Sequence, residues 1–538
     1  MSPPSPNNVG ALVKPNGRLG SKKSKTGCLT CKARKVKCDE AKPVCKRCVA
    51  ADRVCQGYDD VFVSTQISSA EYARNRINGL LGLQTPPRTP SPVHGDARAL
   101  QYYRVKVANI LGGAVDTEFW TTSVLQLSEA EPAIQQALFA VSDLWEVQET
   151  QDFHDSSYAQ RRHFERYSKA LTATAERVAQ PRADTVALAT CVLFLCLHCL
   201  RGDKEETHKL LQTGAAVMQK VLRELYEPSA TTQNEAAKIF LPIFERMLVL
   251  LRLFGQRLPH FRSPDTILYN NISANFSQFE DLDEARGALY WLVAESHELI
   301  VKTRLYRFSP DVNDLDEPTV QECFQKQGVQ LAAYAAWLEA FDHLCTTSRF
   351  ASGMDDYYKA NLLLTHTVTV AWLSTCMDRD EGAWNKHTNS FRIAVREAEK
   401  IVSRDKGNTP MFTFEMGVIP PLYLTVLKCR DPYLRWQAIS ILERAPAREG
   451  LWSRTEALRV CRRVVQLESG TGQMIPGGIR FQGGSIVDAR TLVTTEQGTR
   501  VTFAAKLNGH QELWREWDEL IPLEEDVGQA IQYSLQHQ

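Results

Sequence analysis

The chain has 538 residues, and its 63 basic side chains are balanced by 63 acidic ones. Hydrophobic residues make up 43% and charged residues 23% of the sequence, which is typical of globular proteins and excludes a wholly disordered or fibrous chain. No apolar run follows a basic N-terminus, and the longest apolar stretch, residues 185–200, is shorter than a bilayer span. We therefore expect an intracellular protein that does not enter a membrane.

Charge is divided unevenly along the chain. Residues 1–58, called the head below, contain 13 Lys and Arg against three acidic residues, a formal net charge of +10, so the remaining residues carry −10. This division predicts that the head binds a polyanion. Within it, residues 1–20 are rich in Pro, Ser, Asn and Gly and are expected to be disordered, which leaves residues 21–58 as the binding domain.

Six of the 14 cysteines lie in the head, in two C-x2-C-x6-C units that repeat after 17 residues: Cys28, Cys31, Cys38, Cys45, Cys48 and Cys55. In a reducing compartment this pattern favours metal ligation over three disulfides. Zinc prefers four ligands in a tetrahedron, so six thiolates satisfy two zinc ions only if two of them bridge. The symmetry of the repeat suggests Cys28 and Cys45 as the bridges. One zinc ion with two free thiols is the alternative.

Metal binding is expected to supply most of the folding free energy of residues 28–55, since so short a stretch cannot bury a self-supporting core. Each unit is predicted to start a short helix after its second cysteine. The first, residues 32–37, carries a charge of +4, and the second, residues 49–54, carries none. Because phosphates attract bases, the first helix should face DNA. Ala33 and Val36 can face inward, which leaves Arg34 and Lys35 pointing outward, where an Arg or Lys pairs well with guanine O6 and N7 in the major groove.

The head resembles the fungal six-cysteine binuclear zinc cluster transcription factors. The resemblance is carried by the run Gly27-Cys-Leu-Thr-Cys-Lys-Ala-Arg-Lys-Val-Lys-Cys-Asp39 and by Lys42-Pro-Val-Cys-Lys-Arg-Cys48. It implies two Zn²⁺ ions bridged by Cys28 and Cys45, and a loop proline at Pro43. It also implies that Arg34 and above all Lys35 read a CGG-type triplet, while Lys32 and Lys37 hold phosphates.

Residues 59–98 are expected to be a linker that includes a proline-rich hinge at residues 85–92. Apolar residues between Val63 and Leu81 follow heptad spacing, but they cover fewer than three heptads and Arg74 lies in the seam. A coiled coil is therefore not favoured. Binding to a single site, or homodimerisation through the rest of the chain, is left open.

Residues 99–538, called the body below, are expected to form a mostly α-helical regulatory domain with one possible β-hairpin near residues 490–506. Apolar residues recur at intervals of three and four in nine segments: residues 100–111, 119–127, 134–145, 164–178, 186–200, 210–222, 239–254, 288–301 and 331–344. The runs Asp116-Thr-Glu-Phe-Trp120 and Glu131-Pro-Ala-Ile134 resemble the fungal-specific regulatory region that follows such zinc clusters. That resemblance covers about residues 99–440.

Several features of the body are expected not to be functional sites. Cys191, Cys196, His198 and Cys199 are spread around one helix and should be core residues. The glycines between residues 470 and 478 lack the rest of a phosphate-binding or dinucleotide-binding motif. No catalytic motif is found, so an enzyme is not expected. Residues 510–527 mix acidic and apolar residues, which fits either an activation segment or one helical face, made by Leu513, Trp517, Leu520 and Ile521, that packs on the body.

The sequence therefore predicts a nuclear, sequence-specific DNA-binding regulator of transcription by RNA polymerase II. Its expected partners are double-stranded DNA, transcriptional coactivators and a small-molecule effector. The alternative is a metabolite-binding or enzymatic helical protein with an appended zinc module. A third reading, a zinc module that binds another protein, does not explain the charge of +4 on the first helix.

Overall fold

The structure is a computed structural model of the chain, which divides into two compact units, residues 1–73 and 74–538. It describes the following residues: 30–31, 34, 36–39, 41, 45–51, 53, 55, 94–113, 116–150, 156–181, 183–225, 235–253, 276, 278–308, 317–347, 353–404, 411–414, 417–469, 473–476, 479–481, 484–495, 497–507 and 514–523. The heptad segment, the proline-rich hinge, the N-terminal 20 residues and the glycine pairs at 470–472 and 477–478 lie outside these residues.

Helices dominate the described residues of the second unit, as the sequence predicted. All nine segments with helical spacing fall within or largely on helices. The α-helices after the head, in which α1 is Lys46–Val49, are α2 (His94–Tyr102), α3 (Ala108–Gly112), α4 (Val124–Ala130), α5 (Pro132–Thr150), α6 (Ser156–Val178), α7 (Asp184–Arg201), α8 (Lys204–Leu225), α9 (Glu235–Leu253), α10 (Leu282–Phe308), α11 (Glu317–Thr347), α12 (Gly353–Thr375), α13 (Thr388–Arg404), α14 (Ile419–Lys428), α15 (Pro432–Leu442) and α16 (Arg454–Glu468). Two π-helical turns, Tyr103–Val107 and Phe119–Ser123, precede α3 and α4, and a 3₁₀ helix spans Glu381–His387. The first of these helices begins at His94, inside the stretch expected to be linker.

Helix α7 is the centre of the first hydrophobic cluster. Its residues from Thr185 to Leu200 are buried between α5, α6 and α8, except Ala187, which is half-buried. The helix ends at Gly202, whose φ of 71° lies in the left-handed region, and the Asp203 N–H closes the turn on the His198 carbonyl at 2.9 Å. Its 18 residues are long and apolar enough to cross a membrane, but its burial makes it a core helix of the body.

Three further hydrophobic clusters follow in chain order. The second is built mainly by α10, α11 and α12, and the third by α12 to α16. Helix α14 begins beside a small three-stranded sheet in which β1 (Phe412–Thr413) pairs with β2 (Arg448–Glu449), and β2 pairs with β3 (Trp452–Ser453). This pairing places the buried Glu449 at the start of α14, where its two carboxylate oxygens accept from the N–H groups of Val418 and Ile419 at 2.9 and 2.8 Å.

The fourth cluster packs α16 against a C-terminal antiparallel sheet. β4 (Met474–Ile475) and β5 (Ile479–Arg480) pair just before it, and its own strands are β6 (Gly484–Thr495), β7 (Gly498–Leu507) and β8 (Trp514–Pro522), in that order. The predicted hairpin near residues 490–506 is therefore confirmed, with longer strands. Alternate residues of β7, Val501, Phe503 and Ala505, face α16. A Cβ atom on Gly498 would lie 2.3 Å from the Ile521 carbonyl oxygen, so β8 can approach only a glycine there.

The third strand corrects the expected helical face in residues 510–527. Residues 514–522 form β8, in which Trp517 and Ile521 are buried against the sheet while Leu520 is 43% exposed. Four-residue spacing also places two side chains on one face of a strand, because it is an even number. The apolar pair Trp517 and Ile521 therefore could not distinguish the two structures.

Candidate zinc cluster and nucleic-acid interface

The second C-x2-C unit shows how a cysteine pair starts a helix. Cys45 is the N-cap of α1, with extended backbone angles, and its Sγ accepts a hydrogen bond from the Cys48 N–H at 3.2 Å. A side-chain acceptor at the N-cap that bonds the amide three residues later is the usual way to begin a helix. The spacing C-x2-C therefore places the first sulfur and the second cysteine on the same turn.

The 17-residue repeat of the sequence is also a repeat of the backbone. The Val36 N–H donates to the Cys31 carbonyl at 3.1 Å, and the Arg53 N–H donates to the Cys48 carbonyl at 3.0 Å, each pair being 17 residues from the other. Both bonds close a helical turn that contains the second cysteine of its unit. The two halves of the head thus share this backbone hydrogen bond at equivalent positions.

The second short helix begins three residues before its predicted start, and the described part of the first half differs from the predicted helix at its C-terminal end. The first half is helical at Thr30 and Cys31 and not at residues 36–39, and α1 spans Lys46–Val49 rather than residues 49–54. The second helix consequently carries Lys46 and Arg47, so its charge is +2 and not zero. The cause is the N-cap sulfur, because it starts the helix immediately after the first cysteine of the unit.

The thiols of the head converge into two groups that share one member. The sulfurs of Cys31, Cys38 and Cys45 lie within 4.8 Å of one another, and so do those of Cys45, Cys48 and Cys55. Four of the five are buried, Cys55 being half-buried. Cys28 lies outside the described residues, as does the loop residue Pro43.

This donor set fits two zinc ions. Four sulfurs held roughly 2.3 Å from a tetrahedral zinc ion are about 3.8 Å apart. The sulfurs of Cys31 and Cys45, which belong to one group, are 3.7 Å apart. Each group supplies three ligands, and only Cys45 belongs to both. One more thiolate shared by the groups would complete both tetrahedra, which is the place that the sequence gives to Cys28.

Two of the four residues expected to contact DNA are described. Arg34 and Lys37 are both exposed, and the Arg34 N–H donates to the Thr30 carbonyl at 3.1 Å. Val36 packs against the cysteine cluster, on the inner side that its spacing predicted. Lys32 and Lys35 lie outside the described residues. The first half therefore presents basic side chains to solvent while its apolar residue covers the thiols.

Asp39 joins the two halves of the head, a role that the sequence analysis missed. Its carboxylate oxygens accept from the N–H groups of Lys46 and Arg47 at 3.0 Å each, at the start of α1. Loss of water acts to raise the pKa of this carboxyl, but the backbone donors Arg47 and Lys46 outweigh that effect and hold it below its ordinary value. The sequence did contain a signal for this role, because Asp39 is an acidic residue directly after Cys38 in a strongly basic head.

The other cysteines expected to be core residues are buried in the helical body. Cys191 donates to the Leu210 carbonyl at 3.3 Å, and Cys199 lies 4.0 Å from the Thr207 hydroxyl. Burial raises the pKa of each of these two thiols to about 12. Among the described residues, groups of three or more side chains that could hold a metal ion occur only in the head.

Two family models match this chain. Residues 26–62 match the fungal Zn(2)-Cys(6) binuclear cluster domain, and residues 98–284 match the fungal specific transcription factor domain. The chain therefore combines the two domains of fungal zinc cluster regulators and is a DNA-binding transcription factor. The cofactor of this transcription factor is zinc, with two ions in the cluster, and its head is a DNA-binding domain.

Similar proteins carry the same function in their names. Over 80% of this transcription factor and 85% of the relative, it is 21% identical to the aspercryptin biosynthesis cluster-specific transcription regulator atnN of Emericella nidulans. It is 27% identical to the transcription regulator lscL of Purpureocillium lilacinum over 43% of this chain and 56% of that one. It is 32% identical to the Zn(2)-C6 fungal-type transcription factor afumD of Aspergillus fumigatus, over 24% and 34%.

Proposed function

We propose that this transcription factor acts in the nucleus and reads a CGG-type triplet in the major groove through the first half of its head. The observation that supports this most directly is the exposure of Arg34 and Lys37, while Val36 between them packs against the thiols. In the proposal Arg34 and Lys35 contact bases, and Lys32 and Lys37 contact phosphates. Base contacts specify sequence and phosphate contacts position the domain.

The ligands of the two zinc ions in this proposal are Cys28, Cys31, Cys38, Cys45, Cys48 and Cys55, with Cys28 and Cys45 shared between the ions. Pro43 belongs to the loop between the halves. The domain limits proposed are residues 1–20 for a disordered N-terminus, 21–58 for the DNA-binding domain of the head, 59–98 for the linker and 99–538 for the body. The chain catalyses no reaction in this proposal, and the body regulates what the head binds.

The helices of the two halves of the head differ less in charge than the sequence predicted. Charge alone therefore favours the first half as the DNA-facing side less strongly, and a second feature also bears on the orientation. The backbone N–H groups of Lys46 and Arg47 are bonded to Asp39, which brings a negative charge to the start of α1. A carboxylate there disfavours the approach of phosphate. The first half lacks such a neighbour among its described residues and keeps the higher charge.

Selection of duplexes from a randomised library by the full-length, zinc-loaded protein tests this assignment. We expect enrichment of a CGG-type triplet, and Lys35→Ala should relax it at one position with a loss of about 1–3 kcal/mol. Lys37→Ala should weaken binding to all sequences alike. It should also reduce the slope of log affinity against log salt concentration by about one. Two triplets at fixed spacing would show a homodimer.

Arg53→Ala is the matched control, because Arg53 is exposed on the second half. It should leave the selected sequence unchanged. Binding that depends on salt but selects no sequence would contradict the proposal, and so would loss of the triplet in Arg53→Ala with retention in Lys35→Ala.

Coactivator binding by residues 510–527 is the second part of the proposal. β8 is an edge strand whose exposed side chains Glu516, Asp518 and Leu520 alternate on one face. This surface is acidic with one apolar side chain, which is the composition that activation segments use. Leu520→Ala should lower reporter transcription without changing DNA binding or thermal unfolding. Unchanged transcription would contradict coactivator binding by this surface.

A further inference from the structure

A cavity of about 1140 Å³ lies inside the helical body, where α10, α12, α14 and the start of α16 meet β6. Trp372, Tyr423, Leu424 and Trp452 give it an aromatic and apolar wall. Cavities of several hundred cubic ångströms or more, with an apolar lining and a few polar groups, are the usual sites for small molecules. The polar groups of this cavity therefore indicate what it would bind.

Lys428 is the most informative of them, because it lines the cavity and is only 4% exposed. Its ammonium donates to the Glu381 carboxylate at 2.9 Å and to the Val487 carbonyl at 2.7 Å. The β6–β7 register shifts between Ile486 and Asp488, so Val487 has no partner in the ladder and its carbonyl can turn to Lys428. The third N–H of the ammonium has no hydrogen-bond acceptor among the described residues.

Lys428 is one of two buried cations at this end of the cavity. Arg307, a second residue that lines the cavity, also pairs with Glu381 at 2.8 Å, and the side chains of all three are at most 7% exposed. Two cations thus share one carboxylate away from water. Burial lowers the pKa of Lys428, and Glu381 offsets this only in part because Arg307 and Arg430 repel the charge. A carboxylate or sulfonate of a bound ligand would pair with these two cations in charge-assisted hydrogen bonds.

The remaining charged groups of the cavity mostly balance each other. Arg304 pairs with Asp488, and Arg490 pairs with both Asp488 and Glu516. Lys204 pairs with Glu456 at 3.4 Å. The excess positive charge is therefore concentrated at the Lys428 end, beside the aromatic wall.

We propose that this cavity binds a small organic anion, an aromatic or aliphatic body with a carboxylate or sulfonate group that faces Lys428 and Arg307. The body of the ligand lies against Trp372, Tyr423 and Trp452. This goes beyond DNA reading by the head and does not depend on it. It gives the effector expected from the sequence a site and a chemical class.

A pair of fluorescent probes separates charge from apolar burial in the full-length, zinc-loaded protein. 1-Anilinonaphthalene-8-sulfonate and N-phenyl-1-naphthylamine share one ring system, and only the first carries an anion. We expect the sulfonate to bind at least about tenfold more tightly and to raise the midpoint of thermal unfolding. Equal affinities of the two probes would overturn the proposal.

Lys428→Met keeps the length of the side chain and leaves Arg307 and Glu381 as a neutral pair. It should abolish the preference for the sulfonate while the neutral probe binds as before. Lys220→Met is the matched control, since Lys220 is an exposed residue of α8 that pairs with Asp184. It should behave as the wild type. A preference retained in Lys428→Met would exclude this end of the cavity as the anion site.

Ala504→Trp decides the case in which Lys428→Met does not fold. Ala504 lines the cavity from β7 and is half-buried, and a strand tolerates a Trp there. The larger side chain should weaken the binding of both probes. If neither affinity changes, the probes bind elsewhere and the proposal is wrong.

Discussion

Cysteines are buried in both the head and the body of this transcription factor, yet their neighbours differ. In the head the sulfur of Cys31 lies within 3.8 Å of those of Cys45 and Cys48. In the body, Cys191 meets a backbone carbonyl and Cys199 a hydroxyl. Burial alone therefore does not identify a ligand, and the convergence of several sulfurs does. The same comparison extends to carboxylates that hold helix starts, Asp39 in the head and Glu449 in the body.

The largest effect should follow from loss of the shared ligand. Cys45→Ser, or removal of zinc by a chelator, is expected to unfold the head and abolish DNA binding, because structural zinc contributes roughly 10 kcal/mol or more to such small domains. Zinc content, DNA binding and far-ultraviolet circular dichroism measure the result. The helical signal of the body should remain.

Cys461→Ser is the control for that experiment, since Cys461 is fully buried in the third cluster of the body. It should keep two zinc ions and full DNA affinity while lowering the stability of the body. Retention of both ions by Cys45→Ser would contradict the shared role of this residue.

The second prediction concerns thiol reactivity. Burial raises the pKa of Cys191 and Cys199 to about 12 and that of Cys376 to about 11, so these thiols stay neutral at pH 8. After chelation of zinc, iodoacetamide should modify the head cysteines at least about a hundredfold faster than these three, because the thiolate is the reactive form. Peptide mass spectrometry measures the rates. Equal rates would show that the body opens readily.

The raised pKa values of these buried thiols also predict that the stability of the body decreases at high pH. The folded body binds the thiol protons more tightly than the unfolded chain, whose thiols titrate near about 8.5. This contribution is present in full below that pH and is lost progressively as the pH rises above it. Denaturant unfolding at pH 7 and pH 10 should show the loss, and Cys191→Ala should reduce it.

Glu449→Gln should have the third largest effect. The buried carboxylate accepts from the N–H groups of Val418 and Ile419, and the amide keeps only one acceptor oxygen. We expect the free energy of unfolding of the body to fall by about 2 kcal/mol. Glu443→Gln is the control, because Glu443 is half-exposed and pairs with Arg462 on the surface. Equal losses in the two variants would refute the capping role.

Asp39→Asn should have the smallest effect. It alters a similar pair of hydrogen bonds at the start of α1, but Asp39 is exposed, so water competes for the same donors. Zinc affinity should fall slightly and the body should be unaffected. A loss as large as that from Glu449→Gln would mean that the head depends on this link between its halves.

The sequence by itself determined the features that depend on local spacing. The C-x2-C-x6-C units predicted a cysteine cluster, and the five of these cysteines that the structure describes fall into two groups, since ligand number and spacing constrain a short segment strongly. Apolar residues at intervals of three and four located the nine helical segments, and the turn at Gln497-Gly498 located the hairpin. Each of these signals lies within a few residues of what it predicts.

Tertiary structure decided the features that depend on residues far apart in the chain. The partner strand β7 pairs with residues 514–522 and makes them a strand. The cavity needs Arg307, Glu381, Lys428 and Val487, which come from four separate elements. No local pattern marks such residues, because their charges and carbonyls meet only after the helices and the sheet have packed.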